Sequence, residues 1–167
     1  MRAKASLCLA LILGFTAPAR CVESDSGQPI YIEADGATYD DNTGVSVYTG
    51  SVEVTQGSMW LKSDKLVVYT QERKPYKYVA TGDPVTWKQS PNTGAEDLYG
   101  RSLTLQYYTD TELMVMIEKA VVRQGKDTYA SERIEYDKKN AIVKAGQASS
   151  NGKRVHIILH PKEEKAK

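Results

Sequence analysis

Few side chains in this 167-residue chain have the types and spacing that could do chemistry. His156 and His160 stand four apart, in a stretch that reads as a strand. Four residues along a strand span about 13 Å on one face, too far for two ligands of one metal ion. No metal site and no cofactor is expected. Asp35, Asp64 and Glu132 recur, and carboxylates can serve as general acids or bases. They sit at the same point of every repeating unit, however, so turn formation explains them better, because Asp readily bonds nearby backbone. There is no Gly-x-Ser-x-Gly, no paired cysteine and no phosphate-cradling loop. No enzyme is expected.

The elements that would carry these residues read as strands. Tyr48 to Tyr69 shows the unit most clearly. Val52 and Val54 alternate with polar neighbours, Gln56-Gly57 reads as a turn, and Met59 and Leu61 resume the alternation. Ser63-Asp64 reads as a second turn before Leu66 and Val68. Tyr, Val, Thr and Ile are favoured in strands, and the 11 tyrosines stand against a single Phe. No sustained helical period occurs after the N-terminal segment. The class is all-β, with about fourteen to sixteen short strands at the roughly 8–12 residue spacing of a sandwich or barrel. Gln71 to Lys77 and Ser90 to Leu98 read as loops, and Thr109 to Glu112 and Lys138 to Asn140 as turns.

A degenerate repeat underlies the pattern. Asp35, Asp64, Arg101 and Glu132 head four copies of a small residue, a charged residue and two apolar positions two apart, at spacings of 29, 37 and 31. Thr49-Gly50-Ser51-Val52, Thr81-Gly82-Asp83-Pro84-Val85 and Glu118-Lys119-Ala120 form the other half-unit, with Glu118 where the first copy has Gly50.

Residues 1–19 read as a signal peptide. Arg2 and Lys4 precede a short apolar run, and Ala17-Pro18-Ala19 fits a cleavage site. The run is shorter than the about 20 residues a membrane helix needs. Cleavage after Ala19 loses two of the 22 basic residues and none of the 21 acidic ones, leaving a net charge of −1. That excludes a general nucleic-acid binder, which carries a basic excess. Cys21 alone remains of the two cysteines, so no internal disulfide supports the domain. Residues 20–28 read as a linker, 29–161 as the domain and 162–167 as a charged tail.

The ordered series PIYIEADG, YTGSVEVTQG, SDKLVVY, TGDPVTWKQ and VVRQGKDTYASERIEYD resembles the OstA-like repeat family of periplasmic lipopolysaccharide-transport proteins. The resemblance covers Gln28 to about Pro161. It implies an antiparallel β-jelly roll bent into an open slot with an apolar interior. It implies a periplasmic bridge that shelters lipid A acyl chains. Its partners would be lipopolysaccharide, an inner-membrane bitopic transport component, an outer-membrane translocon of like fold, and further copies end to end. Two other readings remain open: a membrane-anchored partner of the same fold, and a secreted β-sandwich sugar-binding module or enzyme.

On this resemblance the lipid-binding row is Ile30, Ile32, Tyr39, Val52, Val54, Met59, Leu61, Leu66, Val68, Leu103, Leu105, Ile117, Ile134 and Tyr136. Arg73, Lys74 and Lys77, with Tyr76 and Tyr78, could meet lipid phosphates at the groove mouth, although a solvated loop accounts for them equally well. The first strand (Ile30, Tyr31, Ile32) and the last (Val155, Ile157, Leu159) are apolar and lack edge-protecting charges, so they are the expected oligomer interface.

Overall fold

The computed structural model describes residues 25–90, 96–140, 142–146 and 154–161. The expected signal peptide, Cys21 and the 162–167 tail lie outside the described residues. A 3-10 turn at Asp25–Gly27 precedes ten strands: β1 (Ile30–Glu33), β2 (Gly36–Asp40), β3 (Val45–Gln56), β4 (Met59–Gln71), β5 (Lys74–Gln89), β6 (Leu98–Tyr108), β7 (Leu113–Gln124), β8 (Asp127–Asp137), β9 (Ile142–Ala145) and β10 (His156–Ile158). They form one antiparallel sheet in the order β1-β3-β4-β5-β6-β7-β8-β10. At one edge β1 and β2 divide the length of β3 between them; at the other, β10 and β9 divide β8.

The strands are fewer and longer than the turn signals suggest, because several of those signals are bulges. Register shifts fall between Thr49 and Val52, Lys62 and Lys65, Thr81 and Val85, Arg101 and Thr104, and Ile117 and Ala120. These positions are cross-strand neighbours, so the bulges align into a seam across the sheet. Bulges bend and twist a strand pair locally. Core residues from both sides of the seam pack in one cluster, so the sheet folds over along it into two facing half-sheets, a β-jelly roll.

The seam needs left-handed backbone. Gly50 and Ser51 have φ of 78° and 44°, and Glu118 and Lys119 repeat the pair at 64° and 52°. Glu118 therefore adopts the conformation of the glycine it replaces, one that L-residues reach only at a cost. The acids belong to this seam and not to hairpin turns. Ser63-Asp64, expected as a turn, lies inside β4, and the Asp64 carboxylate accepts a 3.2 Å hydrogen bond from the Asp83 backbone N–H in the β5 bulge. Asp35 donates its own N–H to the Gly50 carbonyl at 3.0 Å.

The register also corrects the repeat. Leu66, Leu105 and Ile134 share one cross-strand row with Ala80 and Met116, and Ala37 reaches it through Tyr48. The third copy thus runs Ser102-Leu103-Thr104-Leu105, in step with Ser63-Asp64-Lys65-Leu66. Leu103, not Arg101, occupies the acid's position. The expected Gln71–Lys77 loop contracts to a two-residue hairpin at Glu72 and Arg73, with φ of 50° and 61°, as a type I′ turn requires.

Candidate slot between the half-sheets

Side chains alternate along a strand, so the register assigns each interior row. On one half-sheet the row Ile32, Val54, Leu61, Trp87, Gly100, Val122, Tyr129 runs from β1 to β8. On the other, Tyr48, Leu66, Ala80, Leu105, Met116, Ile134 lies nearest the seam, with Val68, Tyr78, Tyr107, Met114, Tyr136 behind it. Gly100 is required here. The Trp87 indole packs against it, and a Cβ would overlap the ring.

Between the half-sheets is a cleft of about 280 Å³. Its walls are Val54, Met59, Leu61 and Trp87 from one half and Leu66, Tyr78, Ala80, Leu105, Tyr107 and Met114 from the other. Its mouth is polar. Asp25, Gln56 and Gln89 stand on one lip, and Thr109, Glu112 and Lys138 on the other. Asp25 is tied to its lip: its carboxylate accepts from the Ser58 backbone N–H at 2.9 Å, the Ser58 hydroxyl at 2.7 Å and the Gln89 amide at 3.3 Å. Burial alone would push the Asp25 carboxyl up. The Ser58 and Gln89 donors and the Lys138 charge outweigh it and hold the group below its usual 3.8. Burial lowers the Lys138 ammonium, against the pull of Glu112 and Asp25. Burial raises the phenols of Tyr78 and Tyr107, which line the cleft, and of Tyr136, which packs against the core beside it.

A family model described as "LptA/(LptD N-terminal domain) LPS transport protein" matches residues 31–142. The lipopolysaccharide export system protein LptH of Pseudomonas aeruginosa is 34% identical over 166 residues, covering 93% of this chain and 95% of that protein. The lipopolysaccharide export system protein LptA of Escherichia coli K12 is 31% identical over 154 residues, covering 91% of this chain and 82% of its own length. The crystal structure of Pseudomonas aeruginosa LptH, titled the LptA-homologous periplasmic component of the lipopolysaccharide transport device, superposes with a TM-score of 0.76 at 33% identity. It covers 83% of this chain and 100% of that one. The chain belongs to the LptA/LptD N-terminal domain family.

Within this LptA-like slot the expected residues separate into groups. Ile30, Val54, Met59, Leu61, Leu66 and Leu105 line the cleft. Val52, Val68 and Ile134 are buried in the core beside it, and Ile32 and Tyr136 pack against that core. Leu103 is half-buried at the seam. Ile117 is half-buried on the opposite parity from Met114 and Met116. Tyr39 ends its row at the open edge, 56% exposed, with its hydroxyl donating to Asp41 at 2.9 Å.

Several slot residues escape the sequence pattern. Leu113 to Ile117 is apolar at every position, so its parity cannot be read. Trp87 and Val122 follow bulges that reset the phase. In the basic stretch, Tyr78 faces the slot, 6.2 Å from Tyr107, whereas the Lys77 ammonium lies over the outer rings of Tyr69 and Tyr108 at 5.9 and 5.1 Å. His156 pairs with Ala130 on β10, and His160 donates its backbone N–H to Asp127 at 2.8 Å.

Proposed function

We propose that this protein is exported to the periplasm after cleavage at Ala19 and binds lipopolysaccharide by its acyl chains. It then passes the lipid along a bridge of like folds from an inner-membrane transporter to an outer-membrane translocon. The observation that carries this reading is the slot itself, with apolar walls from two half-sheets and a polar mouth. Each CH₂ moved out of water gains about 0.8 kcal/mol, so an acyl chain held there is strongly favoured while a sugar head stays wet at the mouth. The proposal assigns the chain no catalytic step. A cleft of about 280 Å³ falls just below the roughly 300–1,000 Å³ of ordinary small-molecule sites. A lipid with several chains therefore requires the half-sheets to part about the seam.

The edges supply the bridge. Among the described residues, nine large apolar side chains are exposed; all but Tyr76 lie on β1, β2, β9, β10 or, for Leu159, just past β10. Along the eight-strand path directions alternate strictly, so β10 of one copy meets β1 of the next antiparallel, and β9 likewise meets β2. Such head-to-tail pairing extends both half-sheets at once and joins slot to slot. Ile30, Tyr31 and Ile32 would meet Ile157, with Val155 and Leu159 flanking the contact. Protein recovered from the periplasm should carry lipopolysaccharide by mass spectrometry, and deletion of residues 155–167 should abolish concentration-dependent assembly in analytical ultracentrifugation. Lipid-free protein that assembles equally well without its last strand would refute both halves of the reading.

A further inference from the structure

The mouth of the slot holds a cation that the apolar walls do not need. Lys138 follows Ile134 and Tyr136 on the inward parity of β8 and lines the cleft where that strand ends. Its backbone N–H donates to the Glu112 carbonyl at 3.1 Å, which fixes the turn. Its ammonium lies 5.7 Å from the centre of the Tyr107 ring. It feels the charges of Glu112 and of Asp25 on the opposite lip, yet among the described residues neither carboxylate closes an ion pair with it. A half-buried ammonium has lost part of its hydration, so an anion that reaches it regains more than at an exposed lysine. Asp25 lines the same mouth from the other lip, its carboxylate held by the Ser58 N–H, the Ser58 hydroxyl and the Gln89 amide.

Resting on the lipid-binding reading, we propose that Lys138 recognises a phosphate ester on the head of the bound amphiphile. Asp25 serves as its internal stand-in, shielding Lys138 in the empty slot and yielding when phosphate arrives. Acyl chains then give affinity, and Lys138 sets which lipids are held and with which end at the mouth. Free phosphate lacks the chains that bring it there and binds weakly.

The test compares lipid A carrying its phosphates with lipid A stripped of them, in a fluorescent-lipid displacement assay on the mature protein. Lys138→Met should weaken phosphorylated lipid about tenfold, the range of one charge-assisted contact, and leave the stripped lipid unchanged. Lys138→Arg should restore most of the loss. Asp25→Asn, which keeps an acceptor for Ser58, should strengthen phosphorylated lipid alone by severalfold. Equal losses for both lipids with Lys138→Met, or no loss for either, would overturn the proposal while leaving the slot reading intact. Low-millimolar inorganic phosphate competing as well as the lipid would overturn it too, as a free-anion site. If wild-type protein binds neither lipid, the slot reading itself fails first.

Discussion

The seam end and the mouth end of the slot are built from the same strands, and they do opposite things. At the seam Val52, Val85, Met116, Ala120 and Ile134 are at most 1% exposed, and Ser102 closes on the Thr104 carbonyl at 2.8 Å. At the mouth Ile30 is 40% exposed and the apolar walls give way to Asp25, Glu112 and Lys138. A period-two pattern describes both ends equally well. What separates them is distance from the bulges: where the half-sheets join, facing side chains touch and close a core, and where they diverge, the same rows face a cleft. On the proposed reading, stability resides at the seam and lipid binding at the mouth.

Substitutions at the two ends should part company. Ile134→Ala removes a fully buried side chain in the central row and should cost about 2–5 kcal/mol, read as a lowered denaturant midpoint. Met59→Ser, at the half-buried mouth, should cost much less and instead weaken lipid capture. If both positions cost the same stability, the slot is a closed core throughout and the contrast is wrong.

Gly100→Ala probes the wall between the two ends. Its added methyl meets the Trp87 indole, and overpacking of this kind costs about 1–3 kcal/mol. Chemical denaturation should show that loss, and Trp87 fluorescence should change with it. An unperturbed spectrum and midpoint would mean that the indole moves aside freely.

Much of this architecture is legible in the sequence where polar and apolar residues strictly alternate. Val52, Val54, Leu61, Leu66 and Val68 are assigned to the interior by spacing alone, and the structure buries all five. The edges are legible as well, since β1 and β10 stand at opposite ends of the strand order. The seam is not, because a bulge and a turn use the same residues. Gly, Asp and Ser supply left-handed backbone or local acceptors in either setting. That ambiguity turns Ser63-Asp64 into an apparent turn, multiplies the strands and shifts the third copy onto Arg101. Met114 and Met116 are hidden for another reason: Val115 between them is also buried, at 2% exposure, so no alternation survives. The mouth is least legible, because Asp25 and Lys138 come to line one cleft only when the sheet folds over.

The smallest effect belongs to acid. The Asp25 carboxyl is held below its ordinary value in the folded protein, so its contribution is present above the unfolded pKa and fades as pH falls through the lower, folded one. Protection from exchange of the Ser58 amide, whose N–H donates to Asp25, should therefore fall below about pH 4, while the seam stays protected. Simultaneous loss at both ends would mean that the mouth has no separate stability.

The central claim is that the interior parity of the strands, and not the exterior, holds lipid acyl chains. Photo-crosslinking amino acids placed singly at Val54, Leu66, Glu53 and Val67 in cells that make lipopolysaccharide test this directly. Capture is expected at Val54 and Leu66, which line the cleft, and not at Glu53 or Val67, their outward neighbours. Equal capture on both parities would contradict it.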